Sequence, residues 1–361
     1  MAETEFPSTL VKDPPTNKLF VGGQFTSVDG GSIPANSIAS WDGNSWNILG
    51  INSTNNGVNG IAYVYTLAMN GTNNLFVGGQ FPSVDGFFEN SVNNIASWNG
   101  NSWNILGTNS TYNGVGIGGI DFVYALVMNG TNNLFVGGQF TSVDGGSILA
   151  NNIASWDGNS WNILGINSTN NGVGGTVNAL AMNGTNQLFV GGQFTSVDGN
   201  SILANNIASW NGNSWNILGI NSTNNGVGIG GTSFVKVLAM NGTNQLFVGG
   251  SFTNVDGGST PANYIASWDG NSYSSILGNG MDNEVQALSF FQTSLVIGGL
   301  FTISPDGFCE PYLIQSNFLL FFSHYFFNLC RSKNIRLSHV IPTNTMCFRD
   351  LSKWNLCRSF D

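Results

Sequence analysis

The twelve residues LFVGGQFTSVDG stand at positions 19–30 and return at 134–145 and 188–199, with close copies from Leu75 and Leu246. Aligned on the FVGG core, the copies start at Phe20, Phe76, Phe135, Phe189 and Phe247, and a weaker VIGG starts at Val296. The spacings are 56, 59, 54, 58 and 49 residues. A period of about 50 residues punctuated by glycine and aromatic side chains restricts the chain to one supersecondary unit stacked on itself, as a propeller or a solenoid.

Each period holds four strand candidates. In the second repeat these are residues 64–69 (VYTLAM), 75–81 (LFVGGQF), 94–98 (NIASW) and 102–107 (SWNILG). Asn70-Gly71 marks a turn between the first two, because Asn and Gly accept positive φ best. The paired glycines mark a place where another backbone comes close and no side chain fits. Between the last two strands lies NGNS, or DGNS at residues 42–45. A two-residue loop there sets Trp41 opposite Trp46, so the two indoles pack face to face across the hairpin. The same pairing recurs as Trp98/Trp103, Trp156/Trp161, Trp210/Trp215 and Trp268/Tyr273, which assigns nine of the ten tryptophans to packing.

Four antiparallel strands per repeat describe a propeller blade rather than a solenoid coil. Five blades are complete, near residues 6–50, 62–107, 122–165, 176–219 and 234–278. A partial sixth covers 284–317, with strands at 284–290 and 295–301 and a third at 311–317. The expected fold is therefore all-β, a β-propeller of four-stranded antiparallel blades over residues 1–317. Six blades with the last incomplete is the expected number, with five as the alternative. Residues 318–361 form a divergent C-terminal tail without glycine.

Composition narrows the function. Charged residues are 8% of the chain against roughly a quarter in typical soluble proteins. Up to Gly307 there are three lysines, no arginine and sixteen acidic residues, a balance of −13. Such a body cannot track phosphates, so nucleic acid is excluded as a partner of the repeats. The four cysteines (Cys309, Cys330, Cys347, Cys357) and both histidines follow the repeats, and no cysteine pair has CxxC spacing. Neither a zinc site nor a disulfide framework is indicated. General bases and nucleophiles would have to be Asp, Glu, Ser, Thr or Tyr, and no carboxylate pair stands apart from the repeat pattern. The expectation is a non-enzyme without a cofactor.

The diglycine, the downstream tryptophans and the pattern VGG.FT…IA.WDG..W..LG resemble the Kelch-type and galactose-oxidase-type β-propellers. Closer still are the glycine-rich repeats of secreted and cell-surface propellers of bacteria, fungi and amoebal lineages. The resemblance covers residues 6–317 and implies the propeller fold. It implies no activity, because propellers host unrelated functions. The copper chemistry of galactose oxidase, which uses His, Tyr and a Tyr–Cys crosslink, does not carry over, since no His or Cys precedes Cys309.

Blade topology places the strand-two-to-three loops and the inter-blade loops at one end, and both sets are long. Long loops on a rigid scaffold are where binding resides. The candidate binding-face residues are Asp29, Asn52, Asn55, Asn109, Tyr112, Asp144, Asn167, Asp198 and Asn221. Each loop offers one aspartate before a glycine, which suits a turn and not a calcium site of six to eight oxygens. Asn-x-Ser/Thr sequons recur at Asn52, Asn70, Asn109, Asn129, Asn167, Asn183, Asn221 and Asn241, as a chain rich in Asn, Ser and Thr produces freely. The expected function is a non-catalytic scaffold for protein–protein interaction through the long-loop face. A carbohydrate-binding module, or a structural component of a cell surface or virus particle, are the alternatives. No secretory signal is visible at the N-terminus, and the most apolar run, 318–329, is shorter than the about 20 residues a bilayer needs. The default location is cytoplasmic, with the cell surface or a virion as alternatives.

Overall fold

The computed structural model describes residues 6–301 and 318–321, apart from Pro15 and the short stretches 51–55, 60–61, 72–73, 86–91, 109–112, 117–120, 131–132, 167–170, 185–186, 220–224, 229–230, 243–244 and 292–293. The regular structure is β throughout, apart from two short 3-10 turns at Asp29–Gly31 and Asp256–Gly258. Among the described residues there is no α-helix, as a glycine- and asparagine-rich chain with abundant β-branched and aromatic residues favours.

Five antiparallel sheets follow one another in chain order, four of them four-stranded and that of unit 4 extended to five by Ile202–Leu203. Unit 1 comprises Phe6–Lys12, Leu19–Gln24, Ile38–Trp41 and Trp46–Ile48. Unit 2 comprises Tyr63–Met69, Leu75–Gln80, Ile95–Trp98 and Trp103–Ile105. Units 3, 4 and 5 begin with Phe122–Asn129, Val173–Asn183 and Phe234–Met240 and repeat the same sheet order. Unit 6 departs from it. Val285–Phe291 pairs antiparallel with Ser294–Gly299, but the third strand, Phe318–Phe321, runs parallel to Ser294–Gly299. The expected strand at 311–317 lies outside the described residues, and the strand that pairs begins in the segment expected to be tail.

The two glycines of each FVGG do different work. The first strand of every unit carries a bulge, seen as register shifts at Val64/Thr66, Val123/Ala125, Val177/Ala179, Val235/Val237 and Val285/Ala287. The bulge drives a backbone carbonyl toward the second glycine, so a Cβ at Gly79, Gly138, Gly192 or Gly250 would strike the carbonyl of Tyr63, Phe122, Thr176 or Phe234. The first glycine instead receives a side chain from the next unit. A Cβ at Gly22, Gly78, Gly137, Gly191 or Gly249 would collide with Val64, Val123, Val177, Val235 or Val285, each completely buried. The motif is a socket, and the valine of the following repeat is its plug.

Most of the core accordingly lies between units, although Val21, Phe25, Ala35 and Ala39 form a small cluster within unit 1. Phe20, Ile38 and Leu49 of unit 1 cluster with Val64, Leu75, Val77, Trp98 and Trp103 of unit 2. Phe76, Ile95 and Leu106 do the same with unit 3, Phe135, Ile153 and Leu164 with unit 4, and Phe189, Ile207 and Leu218 with unit 5. A single unit cannot bury both its faces, so stacking neighbours supply the hydrophobic stabilisation. First strands pack side by side from Phe6–Lys12 through to Val285–Phe291, but among the described residues those of units 1 and 6 do not pack this way on each other.

Candidate functional site

The two long-loop sets meet at one end of the sheets, and asparagines join them. In the unit 1–2 interface, Asn36 Nδ2 donates to the Asn56 carbonyl at 2.9 Å and the Asn36 amide donates to Asn56 Oδ1 at 3.2 Å. Asn151/Asn171 and Asn205/Asn225 repeat both contacts, and Asn93 Nδ2 reaches the Asn113 carbonyl at 3.1 Å. Asn56, Asn113, Asn171 and Asn225 are no more than 1% exposed. The next residue of the strand-two-to-three loop, Asn94, Asn152 or Asn206, has φ of 61–62°, a left-handed conformation that asparagine tolerates. Its amide spans two units: Asn152 Nδ2 donates to the Val173 carbonyl at 2.8 Å while its Oδ1 accepts from the Phe140 N–H at 3.1 Å. Buried amides bonded across the loops, both ways in Asn36/Asn56, Asn151/Asn171 and Asn205/Asn225, lock the loop bases in one geometry.

The loop aspartates are ties between neighbouring units. Asp144 accepts from the Thr108 amide at 2.8 Å and from the Thr108 hydroxyl at 2.6 Å, across the unit 2–3 boundary. Asp198 accepts from the Ile166 amide at 3.4 Å. Asp29 has the same left-handed turn, φ 56°, yet is exposed and takes only the hydroxyl of its own Ser32 at 3.0 Å. Among the described residues no unit packs against unit 1 on that side. Among the described residues no three His, Cys, Asp or Glu side chains come together as a metal site, and no helix is long and apolar enough to cross a membrane.

The tryptophan pairs sit opposite each other in register, Trp41 with Trp46 through Trp268 with Tyr273. Their rings are tilted rather than face to face, with centroids 5.4–5.5 Å apart and planes at 57–60° in the four Trp/Trp pairs. Offset or tilted contact suits the ring quadrupole better than a sandwich. The second indole also reaches back one unit. Trp103, Trp161 and Trp215 Nε1 donate to the carbonyls of Leu49, Leu106 and Leu164 at 3.0–3.1 Å. From Trp98 to Tyr273 the pair members are 5–8% exposed, whereas Trp41 and Trp46 are only half-buried. Tyr273, which replaces the tryptophan in unit 5, has a buried hydroxyl without a hydrogen bond among the described residues, and burial raises its pKa well above the usual phenol value.

The opposite end carries the tight WDGNSW turns. Asp157 Oδ1 accepts the backbone N–H groups of Ser160 and Asn159 at 2.8 and 2.9 Å, and Asn162 and Ser160 side chains cover Oδ2. These bonds, the backbone ones first, lower its pKa from 3.8 to about 2. The same cage, with Ser45 and Asn44 amides foremost, holds Asp42 well below the usual carboxylate range, and the Ser272 and Asn271 amides lower Asp269. In units 2 and 4, Asn99 and Asn211 accept the equivalent backbone bonds at 2.8–3.0 Å.

Of the candidate binding-face residues, Asn52, Asn55, Asn109, Tyr112, Asn167 and Asn221 lie outside the described residues. Asp144 and Asp198 are drawn into inter-unit bonding and Asp29 is the exposed exception. Residues singled out by the structure alone are the buried Asn56, Asn113, Asn171 and Asn225, and the half-buried Tyr63, Tyr65, Phe122 and Tyr124 on neighbouring first strands. The NNGV spelling shared by Asn56, Asn171 and Asn225 carries a signal for the former, because a fixed asparagine in a variable loop needs a fixed partner.

No family model and no curated protein matches the chain. Among solved structures, it is similar to the extracellular domain of the proposed one component system BT4673 from B. thetaiotaomicron. The identity is 14% and the TM-score 0.49, over 82% of this chain and 31% of that one, so the chain spans less than a third of that protein's length.

Proposed function

We propose that the chain is a β-propeller of six blades, the last incomplete, that acts as a non-catalytic scaffold and binds another protein through its long-loop end. The observation that supports this reading is the buried asparagine ladder. It holds the loop bases of successive units in one repeated geometry, through Asn36/Asn56, Asn93/Asn113, Asn151/Asn171 and Asn205/Asn225. Loops anchored on rigid bases lose little entropy on binding, and equal spacing multiplies weak contacts by effective concentration. A partner with a repeated or extended surface gains most from such an array.

The test is affinity capture from the native cell with the full chain, beside a variant whose loop stretches 51–55, 109–112, 167–170 and 221–224 are replaced by Gly/Ser of equal length. A partner retained by the wild type and lost by the variant, with both melting alike, is the expected result. A partner held equally by both removes the loop end from the reading. Polymerisation of the purified chain without a partner favours the structural-component alternative.

A further inference from the structure

The units repeat so closely that the positions at which they differ stand out. Second strands read LFVGG in all five complete units, and third strands read IASW. The bulge residue of the first strand shares none of this constancy: it is Ser8, Tyr65, Tyr124, Asn178, Lys236 and Gln286 in units 1 to 6. None of these six is buried, whereas the valines just before them in units 2 to 6 are completely so. Packing dictates the valine and leaves the bulge residue free to vary. A row of solvent-reaching, variable residues along adjacent strands of a constant scaffold is the pattern of a recognition surface.

Within that row the aromatic residues are confined to units 2 and 3, and they touch. Tyr63 and Tyr65 lie 5.9 Å apart with planes at 12°, and Phe122 and Tyr124 lie 5.5 Å apart at 7°. Tyr65 and Tyr124 join the two pairs at 5.4 Å and 51°. All four rings are half-buried. Among the described residues the Tyr65 and Tyr124 hydroxyls have no hydrogen-bond partner, and partial burial raises both phenol pKa values. Primary amides edge the cluster: Gln24 Nε2 donates to the Tyr63 hydroxyl at 3.2 Å, and Gln80 and Gln139 stand opposite Tyr63 and Phe122 in register. The row's cation, Lys236, is two units away from Tyr124.

We propose that Tyr63, Tyr65, Phe122 and Tyr124 form a binding site for a neutral oligosaccharide. Ring faces take the apolar C–H face of a sugar, while phenol and amide groups pair with its hydroxyls. An aliphatic ligand would leave those phenols and amides unpaired, which is costly in a half-buried site. An anionic ligand would find no cation within the quartet and would meet a body of −13 net charge up to Gly307. The assignment is independent of the protein partner proposed above, since it rests on first-strand side chains rather than on the loops.

The experiment is a printed array of neutral oligosaccharides (gluco-, manno-, galacto- and chito-series) beside sialylated and sulfated ones, probed with the full chain and followed by calorimetric titration of the best feature. A neutral glycan retained by the wild type and weakened about tenfold or more by Tyr65→Ala and by Tyr124→Ala is expected. Tyr124→Phe, which keeps the ring, should lose less, and Asn159→Ala at the far end should lose nothing. Melting curves identify any alanine variant that unfolds, in which case Tyr124→Phe and Gln139→Ala decide by their own loss of affinity. The proposal is overturned if no glycan is retained, if only acidic glycans are, or if the folded variants bind as the wild type does. Because the loop-replaced chain should still bind the glycan, failure here leaves the protein-binding reading untouched, and the converse holds.

Discussion

From the second strand onward, unit 1 and unit 3 have almost the same sequence and very different surroundings. Trp161 of unit 3 is 5% exposed and its indole donates to Leu106 of unit 2, while Trp46 of unit 1 is half-buried and its indole has no acceptor among the described residues. Leu67, in unit 2, is 9% exposed, and its unit 1 counterpart Leu10 is 64% exposed. Asp144 ties a neighbour and Asp29 does not. At the other end of the row, a Cβ placed at Gly298 meets, among the described residues, only Ala287 Cβ at 3.5 Å. The motif alone does not make a core residue. Each repeat supplies half an interface: unit 1 buries Val21, Phe25, Ala35 and Ala39 by itself, but a tryptophan at the position of Trp46 is buried as fully as Trp161 only where a neighbouring unit arrives.

The largest expected difference concerns the tryptophans. Trp161→Ala removes a buried indole and should cost about 3–5 kcal/mol, whereas Trp46→Ala should cost less than about 2 kcal/mol because its ring is already half in water. Chemical denaturation of the two variants measures this, and equal losses would break the comparison. Next come the sockets. Gly137→Ala forces Val177 out of place and should cost about 1–3 kcal/mol, while Gly298→Ala should change stability by less than about 0.5 kcal/mol. A destabilised Gly298→Ala would mean that the last socket is filled in solution, which a thermal melt would reveal.

The smallest effect belongs to the turns, where no difference between units is expected. The Asp42 and Asp157 cages are local and do not depend on a neighbouring unit. Their folded pKa values lie below the unfolded one, so their contribution is complete above about pH 4 and fades as pH falls toward 2. Both aspartates are fully solvated, which keeps the effect small. Asp42→Asn and Asp157→Asn should flatten the acid limb of a stability–pH curve to the same slight degree, making the turns resemble those at Asn99 and Asn211. A larger change at Asp157 would show that neighbours reach even this end.

Strands, turns and indole pairing were legible because they are short-range. Period-two alternation and a two-residue loop place Trp41 opposite Trp46 whatever surrounds the hairpin. The tilt of the rings was not legible from the pairing alone; it is the same in Trp41/Trp46, which lacks the carbonyl contact, as in the pairs whose second indole donates to the preceding unit. The diglycine was read as close backbone approach, which holds for Gly79 against the Tyr63 carbonyl, but the valine plug at Gly78 comes from the following repeat. Asparagine-rich loops read as a binding face in the sequence, although Asn171 is 1% exposed and bonded across more than twenty residues of chain. The aromatic quartet could have been found by asking where otherwise constant repeats disagree.

What the sequence by itself determined is the repeated unit: its length, four strands, turns and hydrophobic faces, all written in local patterns of a few residues. Only the tertiary structure decided which of those faces is core, which aspartate is a tie, which glycine is a filled socket and which aromatic residues stand together at the surface. The physical reason is that burial and buried hydrogen bonds belong largely to pairs of units, and identical local sequences end in different environments when one packs against a preceding unit and the other, among the described residues, does not.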